Sequence, residues 1–254
     1  MVNKVENKVP LVSIITVTYN SEKTIGKTID SVFDQTYKNI EYIIIDGESS
    51  DRTIDIVKRY KKKFGDRLIF VSEKDNGIYD AMNKGIEKSS GEIIGIINSD
   101  DWYESDAVEK VLESLTMKGI DGVYHGYQRF VSIKGEEILI SRSSKNNLRN
   151  KMLEHPSCFV SRNIYIKQGM FNLDYKFCAD YDFLLRLLEN NVPFIEVDSI
   201  ISNFTVGGVS STPKAALESL KMKRDRGLVT YRKYLIKKLQ MQFTDTLKRI
   251  FSYS

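Results

Sequence analysis

The chain has 254 residues, of which 41% are hydrophobic, and it carries 38 basic against 34 acidic residues. This length suits one large hydrophobic core or two small ones, while two cysteines, Cys158 and Cys178, without a Cys-x-x-Cys pair exclude a disulfide scaffold and argue against a zinc site. No apolar run reaches the length that spans a bilayer and no secretory signal pattern opens the chain, so we expect a cytoplasmic protein, soluble or peripheral at the inner face of the plasma membrane.

The first predicted strand ends in polar residues. A β-branched run over residues 12–18 predicts the strand, and its end presents Thr18, Tyr19 and Asn20. A helix is predicted from about residue 22 to residue 35. A hydroxyl, an aromatic ring and an amide therefore stand together at one strand end.

The second predicted strand ends in a carboxylate. Residues 42–45 are aromatic and β-branched, and the run stops at Asp46. A turn then leads to Ser50 and Asp51, which are typical helix-capping residues, and a helix is predicted through about residue 64.

The third predicted strand has the most acidic end. Residues 93–97 predict the strand, and the residues that follow it are Asn98, Ser99, Asp100 and Asp101. Because adjacent carboxylates repel each other unless a positive charge lies beside them, Asp100 and Asp101 indicate a cation site. The alternative is a structural role, since either carboxylate could cap a helix over about residues 104–115.

If the three strands are parallel, their polar ends share one edge of one sheet, where α/β proteins bind ligands. This layout is typical of a nucleotide site, but the chain lacks the glycine-rich phosphate loop of Rossmann and P-loop proteins. Phosphate charge would then be met by a divalent cation with oxygen ligands, Mg²⁺ or Mn²⁺, beside Asp100 and Asp101.

Six segments resemble, in order and approximate spacing, the inverting glycosyltransferases of family 2, which have the GT-A fold. The resemblance covers roughly residues 10–210. It implies an α/β fold with a Rossmann-like, mostly parallel central sheet, helices on both faces, and a smaller mixed sheet on the acceptor side. The pattern after Gly126 is less regular and itself predicts a hairpin around Lys134 and Gly135. The segments are SIITVTYN (13–20), IDGESSDRT (45–53), DNGIYDAMNKG (75–85), SGE (90–92), NSDD (98–101) and ADYD (179–182).

The resemblance implies donor-side roles for the third strand end. Asp100 is the expected ligand of Mn²⁺ or Mg²⁺ at the donor diphosphate, with Ser99 beside it. Asn98 replaces the aspartate that most of the family has, and its amide can hydrogen-bond a hydroxyl without adding charge. Asp101 is expected to hydrogen-bond the donor sugar or to support Asp100, with helix capping as the alternative.

The resemblance also implies a base-binding side. Asp46 is expected to accept the uracil imide N–H. Asp75 and Asn76 precede Gly77 in a predicted turn with a positive φ, near the nucleotide and the donor sugar in the family, although the same residues form ordinary turns. The residues expected beside the base are Thr18, Tyr19 and Asn20.

On the acceptor side, inversion needs one base that deprotonates the attacking hydroxyl. Asp180 holds the family's position for that base, while Ala179 replaces the acid that usually precedes it. Asp182 is the rival carboxylate, or it complements the dipole in the first turn of a helix. His155 is an expected acceptor contact, whereas His125 is expected to be structural.

The segment after the last motif is unlike the rest of the chain. The glycine-rich residues 204–212 are expected to close over the diphosphate, with an ordinary connecting loop as the alternative. From Lys214 onward, eleven basic and three acidic residues give a net charge of +8, which leaves −4 for the preceding residues. A mildly acidic domain argues against nucleic acid as a partner.

Within this tail, aromatic and aliphatic residues recur at helical spacing among the basic ones. Such a helix can lie on an anionic membrane surface. The alternatives are packing on its own domain or a homodimer interface. The apolar residues are Tyr231, Tyr234, Leu235, Leu239, Phe243, Leu247, Ile250 and Phe251.

We therefore predict a GT-A catalytic domain over residues 1–212, with a nucleotide-sugar half over about 10–125 and an acceptor half over about 126–212, followed by a basic amphipathic helical tail over 213–254. The resemblance implies metal-assisted, inverting transfer of a hexose or N-acetylhexosamine from a UDP-sugar to a lipid-linked saccharide in cell-surface polysaccharide synthesis, such as O-antigen or capsule. The alternatives are an inactive, regulatory nucleotide-sugar-binding module and a metal-dependent sugar nucleotidyltransferase. The second is disfavoured because no glycine-rich triphosphate loop opens the chain.

Overall fold

The computed structural model describes residues 9–207 and 212–251, with side chains through Met241. Its main feature is one nine-stranded sheet. The strands are β1 (Val12–Thr18), β2 (Ile40–Asp46), β3 (Leu68–Ser72), β4 (Ile93–Ile96), β5 (Trp102–Tyr103), β6 (Val123–Val131), β7 (Glu137–Ser141), β8 (Cys158–Ser161) and β9 (Phe194–Thr205).

Eight α-helices of the described residues pack around this sheet. They are α1 (Ile25–Phe33), α2 (Thr53–Phe64), α3 (Ile78–Lys88), α4 (Ala107–Lys118), α5 (Arg162–Gln168), α6 (Ala179–Glu189), α7 (Pro213–Asp225) and α8 (Tyr231–Phe251).

The strand order is β3-β2-β1-β4-β8-β6-β9-β5, and β7 pairs with β6. The first four strands are mutually parallel, whereas β8 runs antiparallel to both β4 and β6, and β5 runs antiparallel to β9. The predicted hairpin is confirmed as β6 and β7, with Gly135 at a φ of +84° in the turn. The expected α/β fold with a mostly parallel sheet and a mixed acceptor side is therefore confirmed.

Alternate residues of the central strands point to opposite faces, and each face is covered by helices. Ile14 packs in the cluster formed with α1, α2 and α4, while its neighbour Ile15 packs with α3 and α6. Both side chains are fully buried, and burying an isoleucine is worth about 1.5–3 kcal/mol. A core on both faces holds the carboxyl ends of the parallel strands in place.

Helix α1 begins at Ile25, three residues later than predicted. The segment before it is tied to the turn after β2, because the backbone N–H of Ser21 donates to Thr53 and that of Glu22 donates to Asp51. Those bonds use donors that a helix would have left unpaired at its first turn. They also fix the loop after β1 against the loop after β2.

The basic tail forms two helices. Met222 of α7 is fully buried in the main core, so this helix is packed on the domain that precedes it. In α8, Tyr234 is buried, whereas Tyr231, Leu235 and Leu239 are exposed. Phe243, Leu247, Ile250 and Phe251 of the predicted apolar face lie beyond the described side chains. Among the described residues, we find no helix that is apolar over enough length to cross a bilayer.

Candidate active site

A cleft of about 780 Å³ opens at the carboxyl edge of the parallel strands. We call it the donor cleft. Pairing of Thr18 with Asp46, and of Ile15 with Ile96, brings the ends of β1, β2 and β4 to this edge. Its volume lies within the ~300–1,000 Å³ usual for small-molecule sites. The predicted residues that line it are Thr18, Tyr19, Asn20, Asp75, Asn98, Ser99 and Asp100.

Asp46 does not reach this cleft. Its side chain is fully buried and accepts hydrogen bonds from the backbone N–H and hydroxyl of Ser49, at 3.0 and 2.5 Å, and from the hydroxyl of Ser72 at 2.7 Å. These bonds close the turn after β2 and tie it to β3. In this structure the carboxylate of Asp46 is engaged by the protein's own donors, so the geometry favours a structural role for it over the expected contact with the base.

Asp75 lies where a side chain at residue 47 would be. A Cβ atom added to Gly47 would stand 2.5 Å from Oδ2 of Asp75 and 3.5 Å from the ring of Tyr19. The other carboxylate oxygen accepts the backbone N–H of Gly77, whose φ of +117° confirms the predicted turn. The absent side chain at Gly47 thus lets a carboxylate from a distant loop lie beside the exposed ring of Tyr19.

Asn76 is not among the residues that line the donor cleft. Its backbone N–H and its side-chain amide both donate to Asp80, at 2.9 and 3.3 Å, so it helps to begin α3. This geometry favours a structural role for Asn76 over the expected contact with the donor. Its neighbour Asp75 is the residue of the pair that lines the cleft.

The polar side chains at this end of β1 and β4 differ in whether they already have a hydrogen-bond partner. Thr18 is buried at the cleft wall, and its hydroxyl has no hydrogen-bond partner among the described residues. The side-chain oxygen of Asn20, a residue with a positive φ of 49°, accepts the backbone N–H of Ser50 and so holds the turn after β2. Ser99 shares a 2.8 Å hydrogen bond with Ser21. Thr18 therefore offers an unpaired hydroxyl at the cleft wall.

Asp101 is buried and holds the segment that follows β4 in place through hydrogen bonds. It is 1% exposed, and its carboxylate accepts the backbone N–H of Thr205 and the side-chain amide of Asn98. Burial, and next the charge of Asp100, raise its pKa well above the usual value. Asp101 does not line the donor cleft, which favours the expected support of the Asp100 segment over a direct sugar contact. It does not cap α4, whose N-cap residue is Asp106. Helix α4 begins at Ala107.

Asp100 points into the cleft, and partial burial raises the pKa of its carboxyl above the ordinary value. Beside it, the side-chain oxygen of Asn98 is buried without a hydrogen-bond partner among the described residues. No set of three or more His, Cys, Asp or Glu side chains in residues 9–207 and 212–241 is arranged to hold a metal. Mg²⁺ commonly binds one or two carboxylates together with substrate phosphates, and these two oxygen ligands fit that mode.

A second cleft, of about 520 Å³, meets the donor cleft at Ile78, Asn98 and Phe204, which line both. We call it the acceptor cleft. Asp180 lies on its wall at the start of α6. The hydroxyl of Tyr79 and the backbone N–H of Tyr181 each donate to Oδ1 of Asp180 at 2.8 Å. One carboxylate is thus held in a fixed orientation beside the junction of the two clefts.

The surroundings of Asp180 increase its affinity for a proton. Burial raises its pKa, and the hydrogen bond from Tyr79 only partly opposes that effect. His155 also lines the acceptor cleft, and burial lowers its pKa, which favours the neutral imidazole. His125 is buried, with 6.4 Å between its ring centroid and that of Phe194, in agreement with a structural role.

Asp182 has a different function from the one expected on the acceptor side. It is 5% exposed and accepts hydrogen bonds from the guanidinium of Arg226, which also pairs with Glu189. Asp182 does not line the acceptor cleft. This carboxylate therefore joins α6 to the C-terminal end of α7, and the geometry favours a structural role for it over the rival assignment as the base.

Sequence reasoning missed several residues of the site. Tyr79 was part of the matching segment 75–85 but was given no role, and its bond to Asp180 spans 101 positions of the chain. Phe204, in the predicted closing segment, lines both clefts where they meet, while residues 208–211 of that segment lie outside the described residues. Lys151 and Lys223 add positive charge to the acceptor cleft. Only the tail's basic composition signalled one of them.

Comparison with known proteins identifies the family. The family model for glycosyl transferase family 2 matches residues 13–175. A PGL/p-HBAD biosynthesis glycosyltransferase from Mycobacterium tuberculosis is 29% identical over 227 residues, which cover 86% of this chain and 87% of that protein.

Two solved structures share the fold. S. aureus TarS 1-349, in complex with UDP-GlcNAc, superposes with a TM-score of 0.69 at 19% identity, over 84% of this chain and 65% of that one. A mannosyltransferase from Pyrobaculum calidifontis, PcManGT, in complex with GDP-Man and Mn²⁺, gives a TM-score of 0.65 at 18% identity, over 92% of this chain and 65% of that one. At these identities the likeness establishes the fold alone.

Proposed function

This chain belongs to glycosyl transferase family 2, and we propose that it transfers a hexose or N-acetylhexosamine from a UDP-sugar to a hydroxyl of a saccharide acceptor, with inversion at the anomeric carbon. One observation carries the proposal. The donor cleft and the acceptor cleft share Asn98 and Phe204, and a single oriented carboxylate, Asp180, lies on the acceptor side of their junction.

In this account Asp180 is the general base. Tyr79 and the backbone of Tyr181 hold its Oδ1, and neither engages Oδ2, which would accept the proton of the attacking hydroxyl. The raised pKa makes the carboxylate a stronger base than an ordinary aspartate. Because one base on one face of the sugar serves one displacement, the arrangement supports inversion.

On the donor side, Asp75 takes the role that the sequence suggested for Asp46. Its Oδ2 faces the space above Gly47, beside the exposed ring of Tyr19. A carboxylate accepts the uracil imide N–H but repels the bare ring nitrogen of cytosine, while the aromatic ring gives a stacking surface. The unpaired hydroxyl of Thr18 would contribute a further hydrogen bond.

Asp100 would hold Mn²⁺ or Mg²⁺ together with the donor diphosphate, and the unpaired side-chain oxygen of Asn98, which lines the same cleft, offers a second oxygen ligand. Such an ion neutralises the negative charge that develops on the leaving diphosphate. Asp101, buried behind this pair, orients Asn98 through its amide. Ser99 fixes the same segment to the loop after β1 through Ser21.

The tail supports an acceptor that is presented at a membrane, such as a lipid-linked saccharide used for a cell-surface polysaccharide. Tyr231, Leu235 and Leu239 are exposed at a spacing of four residues along α8, among basic side chains. Apolar burial and attraction to anionic lipids are the two contributions that hold a peripheral helix on a membrane. The protein would then work at the cytoplasmic face of the membrane.

The test is UDP release from UDP-glucose, UDP-galactose and UDP-GlcNAc with Mn²⁺, with and without a lipid-linked saccharide. We expect one donor to give acceptor-stimulated release and a product whose new linkage has the inverted anomeric configuration. Tight UDP-sugar binding without release under any condition would indicate an inactive module. Formation of pyrophosphate from UTP and a sugar phosphate would indicate a nucleotidyltransferase, and either result would overturn the proposal.

A further inference from the structure

A third cavity, of about 330 Å³, lies between the tail helices and the segment before the acceptor cleft. We call it the basic groove. It shares Ala216, Ser219 and Lys223 with the acceptor cleft, so the two form one continuous surface. Four cationic side chains line it and no acidic one does: Arg149, Lys223, Lys233 and Lys237.

These charges differ from the other cations of the tail. Arg224 is paired with Asp225, and Arg226 with Asp182 and Glu189. None of the four groove cations pairs with a carboxylate among the side chains described through Met241.

Lys223 lies where the basic groove meets the acceptor cleft. Its ammonium donates to the backbone oxygen of Asn150 at 2.7 Å and lies 4.9 Å from the ring centroid of Tyr181. Burial, and next the positive charge of Lys237, lower its pKa. The protein therefore holds cations close together without a counter-charge, which an anion bound between them would stabilise.

We propose that the basic groove binds a phosphate or diphosphate group of the acceptor, so that the saccharide enters the acceptor cleft with its phosphorylated end over α7 and α8. The inference rests on the proposed function, because it identifies the chemical class of that acceptor. Charge-assisted hydrogen bonds from lysine and arginine are the usual way to bind phosphate oxygens. The groove's continuity with the acceptor cleft places the anionic group on the side of the site away from the donor diphosphate.

The direct test is calorimetric titration with inorganic pyrophosphate, in EDTA and saturating UDP so that the donor cleft is filled. The variant Lys233→Gln/Lys237→Gln removes two groove charges. Its control, Arg232→Gln/Lys238→Gln, removes two charges from the same helix outside the groove. We expect pyrophosphate affinity to fall about tenfold or more in the groove variant, as for loss of hydrogen bonds to a charged group, and little in the control. Equal affinities in all three proteins would overturn the inference.

Phosphate could also come from bulk lipid, so a second arm uses vesicles of phosphatidylglycerol and phosphatidylcholine at low salt. We expect both double variants to lose vesicle binding to a similar extent, since long-range attraction depends on net charge. Vesicle binding lost only in the groove variant, with unchanged pyrophosphate affinity, would show a lipid-surface site and overturn the inference.

Sugar transfer separates this inference from the proposed function. If the protein transfers sugar, the groove variant should raise the KM for a diphosphate-linked acceptor and leave the KM for the same saccharide without phosphate unchanged. Equal effects on both acceptors would overturn the inference and leave the glycosyltransferase reaction intact. Pyrophosphate binding in the groove of a protein that releases no UDP would instead count against the proposed function and the acceptor assignment together.

Discussion

The hydroxyl of Tyr79 donates a 2.8 Å hydrogen bond to Oδ1 of Asp180, and so joins α3 to α6 across the acceptor cleft. Tyr79 is 7% exposed and its ring packs against Phe171, with 5.6 Å between ring centroids. The carboxylate is therefore oriented by a residue that is itself fixed by the core. Tyr79 is a positioning residue for the proposed base.

Tyr79→Phe keeps the packed ring and removes the hydroxyl. The loss of one hydrogen bond to a charged group is worth about 1.5–3 kcal/mol, so kcat should fall by roughly one to two orders of magnitude. That bond lowers the pKa of Asp180, so removing it should raise the pKa further. Because the base acts when deprotonated, the acid limb of the pH–kcat profile should move to higher pH.

A purely structural role for Tyr79 would lower the melting temperature and leave the shape of the pH profile unchanged. Tyr165→Phe is the matched control, since this buried tyrosine stacks on Phe183 without contacting Asp180. An unshifted acid limb in Tyr79→Phe would contradict the positioning role.

Asp75→Asn should affect donor binding, whereas Asp46→Asn should affect the stability of the fold. The first should raise the KM for the UDP-sugar and weaken discrimination against the cytidine analogue, because the imide N–H loses its carboxylate acceptor. The second should lower stability by about 1–3 kcal/mol, since it disturbs a buried hydrogen-bonded carboxylate. UDP affinity by titration and unfolding by urea separate the two effects. UDP affinity lost only in the folded Asp46→Asn protein would reverse the assignment.

Gly47→Ala offers an independent check on Asp75. The added methyl group would lie 2.5 Å from Oδ2 of Asp75 and must displace it. We expect the KM for the donor to rise with little change in stability, as the carboxylate can move into solvent. A donor KM equal to that of the unsubstituted protein would show that Asp75 does not bind the base.

Asp182→Asn should act on stability and not on chemistry. The substitution removes the buried one of the two carboxylates that pair with the guanidinium of Arg226 and leaves Glu189, at a cost of about 1–3 kcal/mol in unfolding free energy. Turnover per folded molecule should change little. Asp174→Asn, at an exposed position, is the control. A large loss of kcat in Asp182→Asn, with normal unfolding, would restore Asp182 as the candidate base.

Asp100→Asn should weaken Mn²⁺ binding in the presence of UDP, because it removes the carboxylate that points into the donor cleft. Electron paramagnetic resonance reports bound and free Mn²⁺ directly, without relying on turnover. Asp101→Asn is less informative, since that side chain supports Thr205 and Asn98. Unchanged Mn²⁺ affinity in Asp100→Asn, or unchanged activity in excess EDTA, would exclude the proposed metal role.

The sequence was sufficient for the features that depend on local pattern. β-Branched runs that stop at polar residues located β1, β2 and β4, and parallel pairing then brought their ends to one edge. The positive φ at Gly77 also followed from its turn sequence. Each of these features depends on residues that are close together in the chain or on a strand's regular geometry.

The features that were missed depend on tertiary contacts. Asp46 lies at a strand end, where ligand-binding residues are common, but its carboxylate accepts hydrogen bonds from Ser49 and from Ser72 of the neighbouring strand. The contact between Asp75 and the space at Gly47 joins two loops that no periodicity connects. Asp182 likewise became structural only because the chain returns with Arg226 after α7. A sequence pattern shows which polar groups reach an edge, but not which of them find partners there.

The most direct test of the account is the turnover of Asp180→Asn, measured beside its affinity for the UDP-sugar. Loss of a general base predicts a fall in kcat of about 10²–10⁴-fold, whereas donor affinity should stay unchanged because Asp180 lies in the acceptor cleft. The melting temperature checks that the protein remains folded. Retention of full turnover by a folded Asp180→Asn protein, or a loss explained entirely by weaker donor binding, would contradict the assignment of Asp180 as the base.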